Sequence, residues 1–534
     1  MIVNTESIPP DSLSANRQIA RAASLVTAAI VLSNLTGLIR SILVAQAFGT
    51  TDVMDAFFAA NRISETLFSL AAGGALGSAF IPTFTSLLAK EKRQEAWRLA
   101  SSIFNLILII TILLAGLAAV YAPQLIRYVI APGLAVDPAK EALAISLTRL
   151  MLPSAVLFGL SGLVMGILNS RQRFFIPALT PAMYQLGMIF GVVVLAPKLG
   201  IYGLAWGVLI GAAGHLVLQL PLLFKQKGSY SPTLGLKSPD VREVAGLMGP
   251  RLLGVAVVQL NLWINVRLAS MQPDGSVTAI QLAFTVMLMP QAAIAQSIAT
   301  AALPTFSAQV ARNKLSEMRS SLAASMRGIL LLSVPASLGL ILLREPIIAL
   351  IYQRGEFTAL STRLVAWALL WYGAGLVGHA LVEILARSFY ALHDTRTPVL
   401  IGIGAMSLNI GFSFLFSYLF QRWGWMPHGG LALANSLATA LEMIGLVLIM
   451  RRRLGGLESS LIWTSLGKAL ISGGLMAGAI WSWSSLAGNM PNWAFTLSGI
   501  FIAVVVYGAG LAMLKTEELK QLAGAIQKRF SRRS

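Results

Sequence analysis

The sequence predicts an all-α polytopic membrane protein of about fourteen transmembrane helices, arranged as two parallel six-helix repeats plus two C-terminal helices. Three observations carry this. First, 56% of the 534 residues are hydrophobic, only 11% are charged, and mean hydropathy is +0.75, whereas a soluble domain carries about 25% charged residues. Second, apolar runs of the ~20 residues that cross the ~30 Å hydrocarbon core recur almost end to end, without the alternation of a membrane barrel. Third, Ala79-Phe80-Ile81-Pro82-Thr83-Phe84, with Lys90 and Lys92 following, reappears as Ala301-Ala302-Leu303-Pro304-Thr305-Phe306, with Arg312 and Lys314 at the same spacing.

Taken in order, apolar runs and their breakers place spans at 24–47, 56–86, 99–121, 144–168, 174–196, 201–224, 244–270, 276–303, 321–343, 361–390, 398–420, 430–450, 462–484 and 493–514. The polar leader before the first lacks the short apolar core and small-residue cleavage site of a signal peptide, so that span is expected to be retained. The second and tenth are longer than a bilayer needs and are expected to tilt, kink or project. Pro177 opens the fifth span as Pro398 opens the eleventh, and Gly203-Leu204-Ala205 in the sixth matches Gly430-Leu431-Ala432 in the twelfth. Each repeat holds an even number of spans, so the two keep the same orientation, with a site of alternating access expected between them.

The expected division is a cytoplasmic leader (1–23), an N-lobe of helices one to six (24–224), a cytoplasmic linker (225–243), a C-lobe of helices seven to twelve (244–450), helices thirteen and fourteen (451–514) and a basic cytoplasmic tail (515–534). Gly73, Gly74 and Gly77, Gly207, Gly211 and Gly214, and Gly473 and Gly474 read as close helix packing. A bend at Gly73-Gly74 is the alternative.

A net charge of +19 raises nucleic acid as a partner, but the basic residues lie in short loops with no aromatic-interleaved patch, which excludes it. Arg17 and Arg21, Lys90, Lys92 and Arg93, Arg171 and Arg173, Lys225 and Lys227, Arg312 and Lys314, Arg396, Arg451 to Arg453, and Lys528, Arg529, Arg532 and Arg533 all fall on one side. The other side holds mainly Arg127, Lys140, Lys198, Arg344, Arg354 and Arg422. The positive-inside rule then makes both termini cytoplasmic. There is no cysteine, hence no disulfide or thiolate metal site.

Little points to catalysis. His215, His379, His393 and His428 are scattered, and HExxH, GxxxxGK[ST] and GxSxG are absent. Ionisable and amide groups inside the spans are more informative, because they are expensive in hydrocarbon and usually face a protein interior or a wet cavity. The second span carries Asp55, Arg62 and Glu65 on nearly one face, as the wall of a polar pathway or a self-neutralising ion pair. His379, Glu383 and Arg387 form a second stripe, structural or functional, in which Glu383 can pair either way. Asn34, Gln259, Asn261, Asn265 and Asn435 read as interhelical bonds or as ligands; Arg267 and Glu442 share their spans. Arg40 either snorkels to the interface or, with Arg62 on the neighbouring span, faces a cavity. Two fixed guanidinium forks would suit a phosphate or pyrophosphate, so an anionic substrate is expected.

At this point a family resemblance stands out. Ser33-Asn34-Leu35-Thr36-Gly37-Leu38-Ile39-Arg40, Phe48-Gly49, Asp55-Ala56-Phe57-Phe58 and Ala79-Phe80-Ile81-Pro82 resemble the opening signature of the MurJ (MviN) lipid II flippases. Gly166-Ile167-Leu168-Asn169 with Phe174, Ile176 and Pro177, the run from Ile351 to Thr358, Phe389-Tyr390-Ala391 and Thr395-Arg396-Thr397-Pro398 extend it over nearly the whole chain. The resemblance implies the MATE-like fold of the MOP exporter superfamily and a substrate of undecaprenyl-pyrophosphate-linked disaccharide-pentapeptide. The lipid tail would run in a groove towards the two extra helices. It also implies that Arg40 is a cavity arginine and Asp55 the first-loop aspartate. The chain departs from the pattern at Asn34, Phe68, Ser69, Phe284, Thr285 and Leu288, where the family usually carries charged residues, and at Glu383, where it commonly carries a lysine. Arg62, Arg267 and Arg387 are expected to compensate.

The expected activity is flipping of lipid II from the cytoplasmic to the periplasmic leaflet of a bacterial inner membrane. The substrate-binding residues are expected to be Arg40, Arg62, Asn34, Arg267 and Asn265, with Asp55, Glu65, Glu383 and Arg387 as gate or ion-pair residues. No cofactor is expected, the energy coming from membrane potential or an ion gradient. Besides the lipid-linked anionic glycan, membrane lipids and cell-wall synthesis machinery are the expected partners of a monomer. The alternatives are a flippase for another lipid-linked glycan, a cation-coupled exporter and a non-transporting scaffold.

Overall fold

A helix satisfies all its own backbone groups in hydrocarbon, and in the computed structural model, which describes residues 10–72, 74–226, 228–488 and 490–516, every regular element is helical. The principal helices are α1 Pro10–Phe48, α2 Asp52–Ala72, α3 Gly74–Ala89, α4 Arg93–Val120, α5 Pro138–Met151, α6 Pro153–Ser170, α7 Phe175–Phe190, α8 Ile201–Val217 and α9 Pro239–Ser270. They continue as α10 Ser276–Gln291, α11 Ser297–Ala311, α12 Leu315–Leu342, α13 Arg344–Tyr352, α14 Ala359–Ala391, α15 Arg396–Arg422, α16 His428–Arg453, α17 Ser459–Leu486 and α18 Asn492–Met513.

Among the described residues eleven helical stretches are long and apolar enough to cross a membrane, or twelve if the two halves of α9 form one span. Those halves, Pro239–Gly249 and Gly254–Ser270, meet at 43°, with Pro250 at the break, where a ring without an N–H cannot continue the ladder. Two of the expected fourteen spans are helical yet fall short of that measure. In the run 56–86, α2 carries Asp55, Arg62 and Glu65, and Gly73, between α2 and α3, lies outside the described residues; α17 covers 462–484. Residues 10–23 of the expected leader belong to α1. Residues 1–9, Gly73, Lys227 and the tail from 517, with Lys528, Arg529, Arg532 and Arg533, lie outside the described residues. The chain forms two compact units, one of residues 1–48 and 52–259, the other of residues 49–51 and 260–534.

The repeat is visible in local geometry. α3 and α11 each contain the matched proline, Pro82 or Pro304, and each buries the matched phenylalanine, Phe84 or Phe306. Each helix ends in a left-handed residue, Glu91 (φ 59) or Asn313 (φ 57), the conformation that lets amides turn back onto the last carbonyls. The next helix then opens with a matched pair, Lys92–Glu95 at 3.1 Å or Lys314–Glu317 at 2.6 Å. Gln172 (φ 59) after α6 and His393 (φ 58) after α14 repeat the device.

In the first unit α7 and α8 cross at a glycine seam. A Cβ on Gly187 would lie 2.2 Å from the Gly211 Cα, and one on Gly191 2.7 Å from the Gly207 Cα; any side chain here would force the backbones apart. The packing role read for Gly207 and Gly211 is thereby confirmed. The loop before α9 is fastened to α4, where the Asn105 amide accepts from the Tyr230 hydroxyl (2.8 Å) and donates to the Thr233 carbonyl (2.9 Å). In the second unit α17 and α18 pack on α12, burying Leu331, Val334, Met476, Ile480 and Ala503 together, and the Tyr507 hydroxyl donates to the Leu331 carbonyl (2.8 Å).

Candidate functional site

The first unit holds a cavity of about 410 Å³ walled by α2, α6, α7, α8 and Gln259 of α9. The polar face of α2 supplies Asn61, Arg62, Ser64, Glu65 and Ser69; Ser154 and Phe158 come from α6, Tyr184 from α7, His215 from α8 and Gln259 from α9. Glu65 organises this wall. Its two carboxylate oxygens accept from the Asn61 amide (2.7 Å) and the Arg62 guanidinium (2.8 Å). The Arg62 side chain is 12% exposed and that of Glu65 45%, so the carboxylate reaches into the cavity and the guanidinium sits behind it. The local charge is zero.

An aromatic cluster shares the lining with these groups. Phe158 lies 5.0 Å from Phe68, 5.1 Å from Tyr184 and 5.3 Å from His215, centroid to centroid. Tyr184 pairs through its hydroxyl with Asn61 and lies within electrostatic reach of both Glu65 and Arg40. His215 is held by Ser161 (2.6 Å), which also accepts from Gln219 (2.6 Å). The Thr66 hydroxyl donates to the Gln259 side-chain carbonyl (3.1 Å).

Arg40 is placed differently from Arg62. Half-buried on α1, it points a guanidinium N–H at the Met188 sulfur (3.6 Å) and has no carboxylate within ion-pair distance among the described residues. Asp55 is 3% exposed, buried near the start of α2. Asn34 is exposed on α1. The structure therefore joins Arg62 to Glu65 and leaves Asn34 apart from them.

In the second unit Asn265 donates to Asn261 (3.1 Å) and accepts from Ser413 (3.3 Å), while Asn261 donates to the Met406 carbonyl (3.1 Å). This is a polar seam tying α9 to α15, the interhelical alternative read from sequence. Arg267, two residues beyond Asn265, is half-buried. Glu383 pairs with Arg387 at 2.5 Å, whereas His379 turns to Asn435 (3.0 Å), which settles the choice open to Glu383. Outside the spans, the Thr397 hydroxyl above all, then the Thr397 amide, Arg453 and the Arg396 amide, hold the Asp394 carboxyl below its ordinary pKa. A groove of about 840 Å³, lined almost wholly by apolar side chains of α12, α17 and α18, runs along this unit past Leu331, Pro335, Met476, Val504 and Tyr507.

Tyr184, Phe158 and Ser154 were not singled out from the sequence, where each is one apolar or small residue among many in its span. The one local signal is helix-interior Pro181, one turn before Tyr184.

The sequence model of the family described as "Lipid II flippase MurJ" matches residues 44–502. The lipid II flippase MurJ of Burkholderia cenocepacia is 32% identical over 475 residues, covering 87% of this chain and 90% of that protein. The probable lipid II flippase MurJ of Vibrio cholerae is 29% identical, covering 96% and 99%. Among solved structures, a lipid II flippase MurJ in an inward closed conformation superposes with a TM-score of 0.79 at 25% identity, covering 93% of this chain and 99% of that one. An inward-facing MATE transporter of the MOP superfamily superposes with a TM-score of 0.62 at 16% identity, over 82% and 98%, a likeness of fold.

Proposed function

This chain belongs to the lipid II flippase MurJ family: it is a multi-pass membrane transporter, not an enzyme, and we propose how its own residues carry lipid II, the lipid-linked precursor of peptidoglycan. Translocation runs from the cytoplasmic to the periplasmic leaflet of a bacterial inner membrane by alternating access, with both termini cytoplasmic. The observation that supports this assignment best is Arg40, a guanidinium within a membrane helix that has no carboxylate within ion-pair distance among the described residues. A cation inside a membrane span without a counter-ion is costly, and a pyrophosphate would supply paired anionic oxygens matched to its fork. Arg62 is already neutralised by Glu65, so its part is to shape the cavity. The undecaprenyl tail lies in the apolar groove along α12, α17 and α18, where burial of hydrocarbon needs no polar partner. Energy comes from membrane potential or an ion gradient, since moving one charge through 100 mV is worth about 2.3 kcal/mol and the head group carries more than one. The protein works as a monomer alongside the cell-wall synthesis machinery.

The test is complementation of a bacterium depleted of its own MurJ, scoring growth and surface-exposed lipid II. The wild-type chain is expected to rescue and Arg40→Ala to fail at equal membrane abundance, with Arg40→Lys intermediate because a point charge replaces the fork. Failure of the wild-type chain, folded and in the membrane, would point to a different lipid-linked glycan.

A further inference from the structure

The cavity of the first unit has no net charge, and that bears on what enters it. Resting on the flippase reading, we propose that this cavity is a saccharide subsite: it reads the N-acetylated sugar next to the pyrophosphate, while Arg40 takes the pyrophosphate itself.

A pyrophosphate would gain little from this cavity. The guanidinium in its wall, Arg62, is engaged by Glu65, and a second anion beside that carboxylate would be repelled. A neutral ring carrying hydroxyl and acetamido groups finds complementary partners instead. Ser64 is 2% exposed and its hydroxyl has no hydrogen-bond partner among the described residues, although Ser64 belongs to the cavity wall. Such a buried orphan forgoes a bond worth about 1 kcal/mol until a ligand supplies it. Gln259 has its carbonyl oxygen occupied by Thr66, which leaves its amide nitrogen to donate. Glu65 accepts one bond at each oxygen from within the protein, and a carboxylate has room for further donors. In the same lining Phe158, flanked by Phe68 and Tyr184, offers the apolar surface against which the C–H face of a pyranose packs. A cavity of about 410 Å³ lies at the lower end of the 300–1,000 Å³ usual for small-molecule sites. It holds a sugar ring with its acetamido group, not a whole disaccharide-pentapeptide.

Three probes test this with the full-length protein in lipid nanodiscs: undecaprenyl pyrophosphate, the same lipid carrying the N-acetylated disaccharide without peptide, and intact lipid II. The disaccharide lipid is expected to bind at least ~10-fold more tightly than the sugar-free lipid, because a site built for hydroxyl and amide groups discriminates strongly against a ligand lacking them. Phe158→Ala should bring that ratio to within about threefold, and the milder Ser64→Ala should lower it by about threefold. Melting temperatures near that of the wild type certify the fold, with Ser64→Ala as the safeguard should Phe158→Ala unfold. Glu65→Gln, which leaves Arg62 without its counter-charge, should tighten the sugar-free lipid relative to the disaccharide lipid. Equal binding of these two lipids by the wild type, a gain that appears only with the peptide, or a ratio unmoved by the variants would overturn the proposal and leave the flippase reading standing. Binding of none of the three would overturn both.

Discussion

At the scale of single residues, the two arginines expected to act together have been given different work by their neighbours. Arg62 is turned inward against Glu65, whose other oxygen takes the Asn61 amide, and Arg40 is left facing a thioether. This difference predicts an asymmetry. Arg62→Ala strands Glu65 in a membrane helix, and removing one partner of a sequestered pair costs more than removing both. With Glu65 about half exposed, the discount for screening leaves a loss of about 1–2 kcal/mol. The double variant Arg62→Ala with Glu65→Gln should recover most of that loss in thermal unfolding of the purified protein; a double variant no more stable than the single would show that the pair contributes nothing. The presence of these ionisable groups was legible in the sequence, because charges stand out in an apolar span. Their pairing was not, since i, i+3 and i, i+7 spacings permit several rotamers and only the packed neighbours select one.

At the scale of elements, the matched motif of the repeat was legible to the residue, Pro82 for Pro304, Phe84 for Phe306 and Lys92 for Lys314. Chain reversals depend on local backbone chemistry, which sequence encodes directly. The break of α9 at Pro250 was legible in principle for the same reason. The glycine seam of α7 and α8 is the element on which the first unit's cavity depends, because Tyr184 and His215 enter the cavity from its two sides. Gly211→Val would place side-chain atoms where the Tyr184 carbonyl and Cα now stand. Overpacking of this kind costs about 1–3 kcal/mol. The expected result is a lower melting temperature together with weakened lipid II binding, whereas Gly474→Val, with no atom within 4 Å of its added Cβ, should leave both near wild type.

At the scale of the whole molecule, orientation can be tested cleanly because the chain has no cysteine. Single cysteines at Gln172 and His393 should react with a membrane-impermeant maleimide only after cells are permeabilised, and one at exposed Val136 should react in intact cells; the reverse pattern would invert the topology. Composition and apolar run length by themselves determined that this protein is helical and spans a membrane many times, since the bilayer allows little else to a chain so poor in charge. The repeated motif determined its twofold construction, and the absence of nucleotide and nucleophile motifs turned the reading away from catalysis. Tertiary structure alone decided which guanidinium is neutralised and which stands without a carboxylate beside it. It also decided that Phe158 and Tyr184, anonymous in their spans, line a cavity with Ser64 and Glu65. The reason is physical: hydrophobicity and turn chemistry act locally and are written along the chain, whereas a cavity's charge depends on side chains from helices distant in sequence meeting in one place.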